Sequence, residues 1–180
     1  LRQVGTQSVS LIIIDGASYL GCSAVTFKAL QKRSGIVISV NKPVSDLQDF
    51  LKKNEIAFDG WIFLDCVSDA DETRKNAPNV RFLGSPKNLL EISVETDKLL
   101  KTLKDKTPFV IIDSLSTLLL YNKPDVIERF VHNLTGKLHE YNAQGIYMMI
   151  QVHEDADVLE IISQFCDKVI EITEKNIKTQ

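Results

Sequence analysis

The chain has 180 residues, of which 44% are hydrophobic and 25% charged, with eight glycines and five prolines; this composition indicates one globular domain without low-complexity tracts. Its formal net charge of −3 excludes a strong positive field, so no nucleic-acid partner is expected. No apolar run approaches the ~20 residues of a membrane span, so no membrane partner is expected either. Three widely spaced cysteines fit neither a disulfide framework nor a zinc site and predict a reducing, cytoplasmic location.

Short apolar runs alternate with amphipathic segments along the chain. Several of the apolar runs are hydrophobic on both faces, as in a parallel sheet covered on both sides. The alternation predicts an α/β fold of three layers, with residues 1–180 forming a single domain. The expected strands are residues 9–15, 36–40, 61–65, 80–83, 109–113, 146–152 and 168–172, and the expected helices are residues 23–32, 44–54, 94–103, 124–142 and 157–165.

The segment Gly16-Ala17-Ser18-Tyr19-Leu20-Gly21-Cys22-Ser23 has the frame of a phosphate-binding loop, G-x-x-x-x-G-K-[ST], between an apolar run and a helical pattern. In such a loop, backbone N–H groups and a lysine hold the phosphates and the hydroxyl binds Mg²⁺. Cys22 stands where the lysine would be. Losing one charge-assisted hydrogen bond removes about 1.5–3 kcal/mol. Asp15, directly before the loop, adds a negative charge where phosphate needs a positive one.

A second signature is the aspartate that ends the predicted strand at residues 109–113. In phosphate-loop enzymes such an aspartate organises the water shell of Mg²⁺, and Asp113 stands where it would belong. An aspartate at a strand end also commonly caps the next turn. The pairing of Asp113 with the loop upstream gives it weight, and leaves Ser23 and Asp113 as the candidate groups on the metal side.

These residues resemble the KaiC-like branch of the RecA-like P-loop ATPase superfamily over nearly the whole chain. The resemblance implies a three-layer RecA-like P-loop NTPase fold with a mainly parallel central sheet. Residues 109–121 carry its most specific part, and residues 10–30 and 36–54 match the first two strand–helix units. The pieces that resemble a poorly characterised subset, whose phosphate loops are often degraded, are residues 88–93, 130–138 and 165–171.

The departures from the family pattern predict an inactive member. Tyr19 stands where family loops carry glycine, so we expect its side chain to fill or reshape the phosphate cradle. The branch places a catalytic glutamate pair after its second strand, where this chain has Asn41 and Lys42. Ring-forming relatives add a β-hairpin after the last shared strand, and the hairpin is expected to be missing here because the chain stops soon after Ile172.

The resemblance and its departures together predict a pseudo-ATPase with no catalytic residue. Its vestigial nucleotide site comprises Gly16, Gly21, Cys22, Ser23 and Asp113, with no resident cofactor and at most weak binding of ATP and Mg²⁺. The protein is expected to act in signalling or regulation through a protein partner or as a homo-oligomer.

Several alternatives stay open from the sequence. One is nucleotide binding without efficient hydrolysis, since loop N–H groups and the helix dipole hold anions even without lysine; another is a weak ATPase completed by a partner. Cys22 at a helix N-terminus could act as a redox sensor. The segment His153-Glu154-Asp155-Ala156-Asp157 could bind a metal through its imidazole and carboxylates, although capping of the next helix by Asp155 or Asp157 is the simpler explanation. His132 and His139 are expected to be exposed, opposite the apolar stripe of their helix.

Overall fold

The computed structural model describes residues 8–68, 78–103, 106–151, 156–173 and 176–179. Helices and strands alternate along most of these residues. The strands are β1 (Val9–Ile14), β2 (Gly35–Ser39), β3 (Trp61–Asp65), β4 (Val80–Phe82), β5 (Phe109–Asp113), β6 (Gln144–Ile150), β7 (Lys168–Thr173) and β8 (Asn176–Thr179). The helices are α1 (Tyr19–Leu30), α2 (Val44–Lys53), α3 (Leu89–Leu103), α4 (Leu115–Tyr121), α5 (Pro124–Glu140) and α6 (Ala156–Ser163).

The strands form one sheet in the order β4-β3-β2-β5-β6-β1-β7-β8. Strands β1 to β7 pair in parallel, and β8 pairs antiparallel with β7. The register places Ser39 opposite both Asp65 and Asp113. Because the carboxyl ends of the parallel strands line up, the polar residues that end β2, β3 and β5 lie side by side at one edge of the sheet. The predicted α/β fold with a mainly parallel sheet is confirmed.

Two apolar cores lie on the two faces of the sheet. Helices α1 and α2 cover one face, and α3 to α6 cover the other. Every residue of β1, β2 and β5 is buried, which explains why these runs are apolar on both faces. None of the helices within the described ranges is long and apolar enough to cross a membrane.

Helix α5 buries apolar residues at helical spacing, as predicted for residues 124–142. It begins at Pro124, where proline suits the first turn because no intrahelical N–H is lost. Both histidines on its opposite face are exposed, as predicted. The His132 ring lies 4.9 Å from that of Phe165, and His139 Nε2 lies 3.2 Å from an Asp167 carboxylate oxygen. The buried stripe comprises Ile127, Phe130, Val131, Leu134, Thr135 and Leu138.

The start of α3 differs from the prediction, which placed it at residue 94. The helix begins at Leu89, because Asn88 and Glu91 form a reciprocal cap. The Glu91 N–H donates to Asn88 Oδ1 at 3.3 Å, and the Asn88 amide donates to Glu91 Oε2 at 2.6 Å. These hydrogen bonds satisfy polar groups at the helix start. The helix therefore begins five residues earlier than predicted.

Helix α4, between β5 and α5, was not predicted. It is short and buries Leu115 and Leu118 against the core. The Ser116 hydroxyl ties it to β6, accepting from Ile150 N at 2.9 Å and donating to Ile150 O at 3.1 Å. At its end the Asn122 amide donates to Pro86 O at 3.1 Å. Tertiary contacts therefore hold a segment that is too short to give a helical pattern in the sequence.

The expectation that no hairpin follows the last shared strand is wrong. Strand β8 turns back along β7 and pairs with it from Ile170 opposite Thr179 to Thr173 opposite Asn176. Strand β8 was difficult to predict from the sequence, because it has only four residues and lacks an apolar run. Strand β8 is an edge strand of the sheet, next to β7.

Candidate functional site

The candidate site lies at the carboxyl edge of the sheet, where β1 ends. From β1 the chain crosses to β2, passing over β6 and β5, whereas the connection from the neighbouring strand β6 passes over β1 to β7, in the opposite direction. Ligands of open α/β sheets bind in the crevice at such a switch point. Asp113 ends β5 at the same edge, separated from β1 by β6.

The segment after β1 makes a tight turn instead of a wide loop. Ser18 N donates to the Asp15 carboxylate at 2.7 Å and to Asp15 O at 3.2 Å. Helix α1 then begins at Tyr19, four residues before the predicted start. Cys22 N donates to Ser18 O at 2.9 Å, as in any helical turn. The second half of the predicted loop is therefore the first turn of α1.

The two glycines of the loop frame do not use the backbone freedom that glycine offers. Neither Gly16 nor Gly21 has a positive φ, and Gly21 lies inside α1. A Cβ added at either glycine would meet no heavy atom within 4 Å. Neither the local backbone nor local packing therefore requires glycine at these two positions.

Tyr19 and Cys22 both point into the core between α1 and the sheet. Tyr19 is 7% exposed and packs in the same cluster as Ile12 and Ile14. The Tyr19 side chain thus packs in the core, and the expectation that it fills or reshapes a phosphate cradle stays a prediction. Burial also raises the pKa of the Cys22 thiol, which is the opposite of what a redox sensor at a helix N-terminus requires. Cys22 is the fourth residue of α1, one turn away from the end where the dipole acts.

Ser23 and Asp113, the two residues predicted to lie next to a bound Mg²⁺ ion, have different environments. The Ser23 hydroxyl is buried and donates to Tyr19 O at 2.8 Å, inside α1. Asp113 is 2% exposed, and its Oδ1 has no hydrogen-bond partner. Burial raises the pKa of Asp113 to about 7. No set of three or more His, Cys, Asp or Glu side chains suited to a metal occurs in the described ranges.

Asn41 and Lys42 lie just after β2, where the family pattern has its glutamate pair. Asn41 is exposed and accepts a 3.5 Å hydrogen bond from the Thr117 hydroxyl. The Lys42 ammonium lies 5.3 Å from the centre of the Phe50 ring. Lys42 O also accepts from the Ser39 hydroxyl at 2.7 Å. Neither side chain offers a carboxylate that could activate water.

Asp65 is a polar residue at this edge that sequence reasoning did not single out. Its Oδ2 accepts from Val44 N at 2.9 Å, at the start of α2. Its Oδ1 accepts from Val67 N at 3.0 Å and from Ser68 N at 2.8 Å. A strand-ending aspartate before a turn was the available signal, the same one that drew attention to Asp113. Three backbone donors give Asp65 a structural role in the turn.

The structure thus brings Gly16, Gly21, Cys22 and Ser23 together in one turn and helix, with Asp113 two strands away at the same edge. The possible metal ligands His153, Glu154 and Asp155 lie outside the described residues, and Asp157 is exposed in the first turn of α6.

Comparison with solved structures identifies the class of fold. The KaiC-like protein PH0186 of Pyrococcus horikoshii superposes with a TM-score of 0.64 at 13% identity, over 96% of this chain and 75% of that one. The uncharacterised protein PH0321 of the same organism, solved in complex with an unknown peptide, gives 0.65 at 14% identity, over 96% and 82%. Protein PH0250 of that organism gives 0.62 at 14% identity, over 96% and 85%.

The fold is therefore a KaiC-like RecA fold. The chain belongs to a family of unknown function, DUF7504, whose model matches residues 22–172. No curated protein matches the sequence.

Proposed function

We propose that this protein is a KaiC-like RecA-fold protein that does not hydrolyse nucleotide and acts through contacts with other proteins, in signalling or regulation. The observation that carries the proposal is the start of α1 at Tyr19. A phosphate cradle needs an open loop whose N–H groups converge on the ligand. In this chain the corresponding residues from Tyr19 onward are helical, and Cys22 N already has an acceptor in Ser18 O.

The other residues of the candidate site fit ATP and Mg²⁺ poorly. The Asp15 carboxylate occupies the turn before α1, where it would repel a phosphate. The Ser23 hydroxyl is held inside the helix, so it would have to leave Tyr19 O to bind a metal. Asp113 is buried with a raised pKa, and a metal ligand must be ionised. We derive no catalytic step through nucleotide or metal at these residues.

Contacts with another protein are the function that remains for a RecA fold without its chemistry. Large apolar side chains are exposed on three helices, and such side chains mark an interaction site where they form a contiguous patch. The side chains of Leu20, Leu90 and Leu120 are 59%, 77% and 82% exposed. A related fold, PH0321, was solved with a bound peptide. This comparison supports a contact function by analogy of fold.

A second candidate function is nucleotide binding without hydrolysis. The N–H groups of Tyr19, Leu20 and Gly21 are the first of α1 and have no intrahelical partner by geometry. Asp113 Oδ1 is buried and without a hydrogen-bond partner, which a metal-bound water could supply. The first observation favours an anion pocket at the start of α1, and the second favours a hydrogen-bond donor beside Asp113.

Measuring phosphate release from ATP and GTP in the presence of Mg²⁺ tests the absence of hydrolysis. We expect the unaltered protein and the Asp113→Asn variant to give the same rate, equal to the background without protein. Both rates should stay at the background value at every pH tested, because Asn41 and Lys42 offer no carboxylate where the family pattern has its glutamate pair. Turnover by the unaltered protein that Asp113→Asn abolishes would contradict the proposal and favour a weak ATPase.

A further inference from the structure

A groove separates helices α3 and α5, on the face of the sheet opposite α1. It contains a cavity of about 300 Å³. The floor is formed by Leu100 and Leu134, which are buried in the core, whereas Leu90 at the rim is 77% exposed. The cavity therefore opens to solvent. We name it the α3–α5 groove and define it by Leu90, Ser93, Thr96, Leu100, Asn133 and Leu134.

The charged residues that line this groove already have partners. Lys137 Nζ lies 3.3 Å from Asp97 Oδ1, so these two lining residues compensate each other. Asp97 also accepts from Lys101 Nζ at 2.6 Å and from the Tyr141 hydroxyl at 3.3 Å. A side chain that enters the groove meets no uncompensated charge from this cluster. We therefore expect an uncharged occupant.

One hydroxyl of the groove lacks a partner. Thr96 lines the cavity and is 1% exposed, and its Oγ1 forms no hydrogen bond with any residue that the structure describes. Six residues further along α3, the Thr102 hydroxyl donates to Lys98 O at 3.1 Å, as threonine commonly does in helices. A buried hydroxyl without a partner is costly, so a polar group placed next to Thr96 would stabilise it.

A tyrosine side chain matches both properties of the groove. Its ring is apolar like the leucine floor, and its hydroxyl can donate or accept a hydrogen bond. A cavity of about 300 Å³ equals the volume of about ten waters at ~30 Å³ each, which is enough room for a phenol ring. The chain already contains a buried pair of this kind, because Thr135 Oγ1 lies 3.0 Å from Tyr147 OH.

Of the four tyrosines in the chain, only Tyr121 is exposed. It ends α4 and is 48% exposed, and the adjacent Leu120 is 82% exposed. The next residue, Asn122, donates from its amide to Pro86 O at 3.1 Å. Pro86 precedes Leu90 by four residues, so the end of α4 lies beside the start of α3. Tyr121 and the groove are therefore on the same side of the molecule.

We propose that the α3–α5 groove binds Tyr121 of a second copy of this chain, with the ring on the leucine floor and the hydroxyl next to Thr96. A two-fold axis between groove and tyrosine lets each copy insert its Tyr121 into the other. The exposed Leu90 and Leu120 then lie around the inserted ring, as at the centre of an interface. The inference rests on the proposed function, since it names the partner for the proposed contact.

Sedimentation equilibrium of the full chain over a range of concentrations tests the association. We expect the mass to rise from 20.2 kDa towards twice that value, with little effect of salt because no ion pair joins the copies. Tyr121→Ala should weaken the association at least about tenfold, because it removes the inserted ring. Leu20→Ala is the control, since Leu20 is 59% exposed on α1, on the other face of the sheet. It should leave the association unchanged.

A double-mutant cycle tests the contact between the two hydroxyls. Tyr121→Phe and Thr96→Val each remove one hydroxyl, and each should weaken the dimer about three- to tenfold. The combined variant should be no weaker than either single variant. Thr96→Val should not lower the unfolding temperature, because the hydroxyl it removes has no partner. The control Thr135→Val should lower that temperature by leaving the Tyr147 hydroxyl unpaired, without affecting the dimer.

Titration with p-cresol, which is the tyrosine side chain alone, tests the groove without relying on association. In the Tyr121→Ala variant we expect ring-current shifts of the Leu100 and Leu134 methyl signals, with a dissociation constant of about 1–10 mM. Toluene lacks the hydroxyl and should bind about three- to tenfold more weakly. Adding Thr96→Val should abolish this difference between the two ligands.

Three results would overturn the inference: a monomer at every concentration, a dimer that Tyr121→Ala does not weaken, or p-cresol that leaves both leucine signals unchanged. Equal binding of p-cresol and toluene would overturn the assigned role of Thr96. Each of these results leaves the proposed contact function standing with another surface or partner. Submillimolar nucleotide binding would instead overturn the proposed function, whatever the mass of the protein.

Discussion

The Asp113→Asn variant should be more stable than the unaltered protein at pH 8 and about equal to it at pH 4. Burial raises the pKa of Asp113 from 3.8 to about 7, so the folded state keeps a proton that the unfolded state loses near pH 4. Stability then falls as the pH rises from about 4 to about 7 and is constant above that range. Since one pKa unit corresponds to about 1.4 kcal/mol, the loss is at most about 4 kcal/mol.

Urea unfolding of both proteins at a series of pH values would measure this effect. We expect the variant to gain about 1–3 kcal/mol at pH 8, because the amide carries no charge but leaves a buried polar group. Asp125→Asn is the control, since Asp125 is exposed and its pair with Arg129 is solvated. It should change stability by a few tenths of a kcal/mol at every pH. A destabilised Asp113→Asn at pH 8, or a difference that does not depend on pH, would contradict the burial of this carboxyl without a partner.

The second prediction contrasts Gly21, an exposed glycine in helix α1, with Gly35, a buried glycine in strand β2. Gly21→Ala should stabilise the protein by about 0.5–1 kcal/mol, because Gly21 is helical and a Cβ there meets nothing within 4 Å. Gly35→Ala should destabilise it by about 1–3 kcal/mol. A Cβ at Gly35 would lie 2.4 Å from Cδ1 of the Phe109 ring. That ring packs edge-on against Trp61 at 5.3 Å and cannot easily give way.

Thermal and urea unfolding of the two variants and the unaltered protein would measure this contrast. The two glycine variants distinguish two structures for the segment after β1, an open phosphate loop and a turn followed by a helix. If residues 16–23 formed an open phosphate loop, Gly21→Ala would strain the backbone and lower stability. A gain for Gly21→Ala, with a loss for Gly35→Ala, supports the helical turn. A loss in both would indicate that Gly21 holds a conformation other than the helix described here.

The strands and the doubly covered sheet could be predicted because strands that are buried on both faces are continuous runs of apolar residues. Such runs do not indicate where α1 and α3 begin. In α3 the signal was present, since Asn88 and Glu91 have the spacing of a reciprocal cap. In α1 the frame of a phosphate loop favoured a loop up to Ser23, whereas Asp15 and Ser18 close a short turn that allows the helix to start earlier.

The arrangement of the candidate site was harder to predict than the fold. It depends on hydrogen bonds and on the start of a helix, and neither has a recognisable sequence pattern here. The sequence indicated Cys22 and Asp113 through their positions in two motifs. The hydrogen bond from the Ser23 hydroxyl to Tyr19 O depends on where α1 begins. The hairpin of β7 and β8 was missed for a similar reason, since a four-residue edge strand is held by backbone pairing and needs no apolar run.

In the proposed function, the segment from Asp15 to Ser23 forms a turn and a helix in place of a phosphate cradle. Calorimetric titration with Mg·ATP and Mg·GTP tests this proposal, with Cys22→Lys and the double variant Cys22→Lys/Tyr19→Gly measured alongside. We expect no submillimolar binding by the unaltered protein, and none by Cys22→Lys alone, because the lysine would extend from the first turn of an intact helix. Submillimolar binding by the unaltered protein would overturn the proposal.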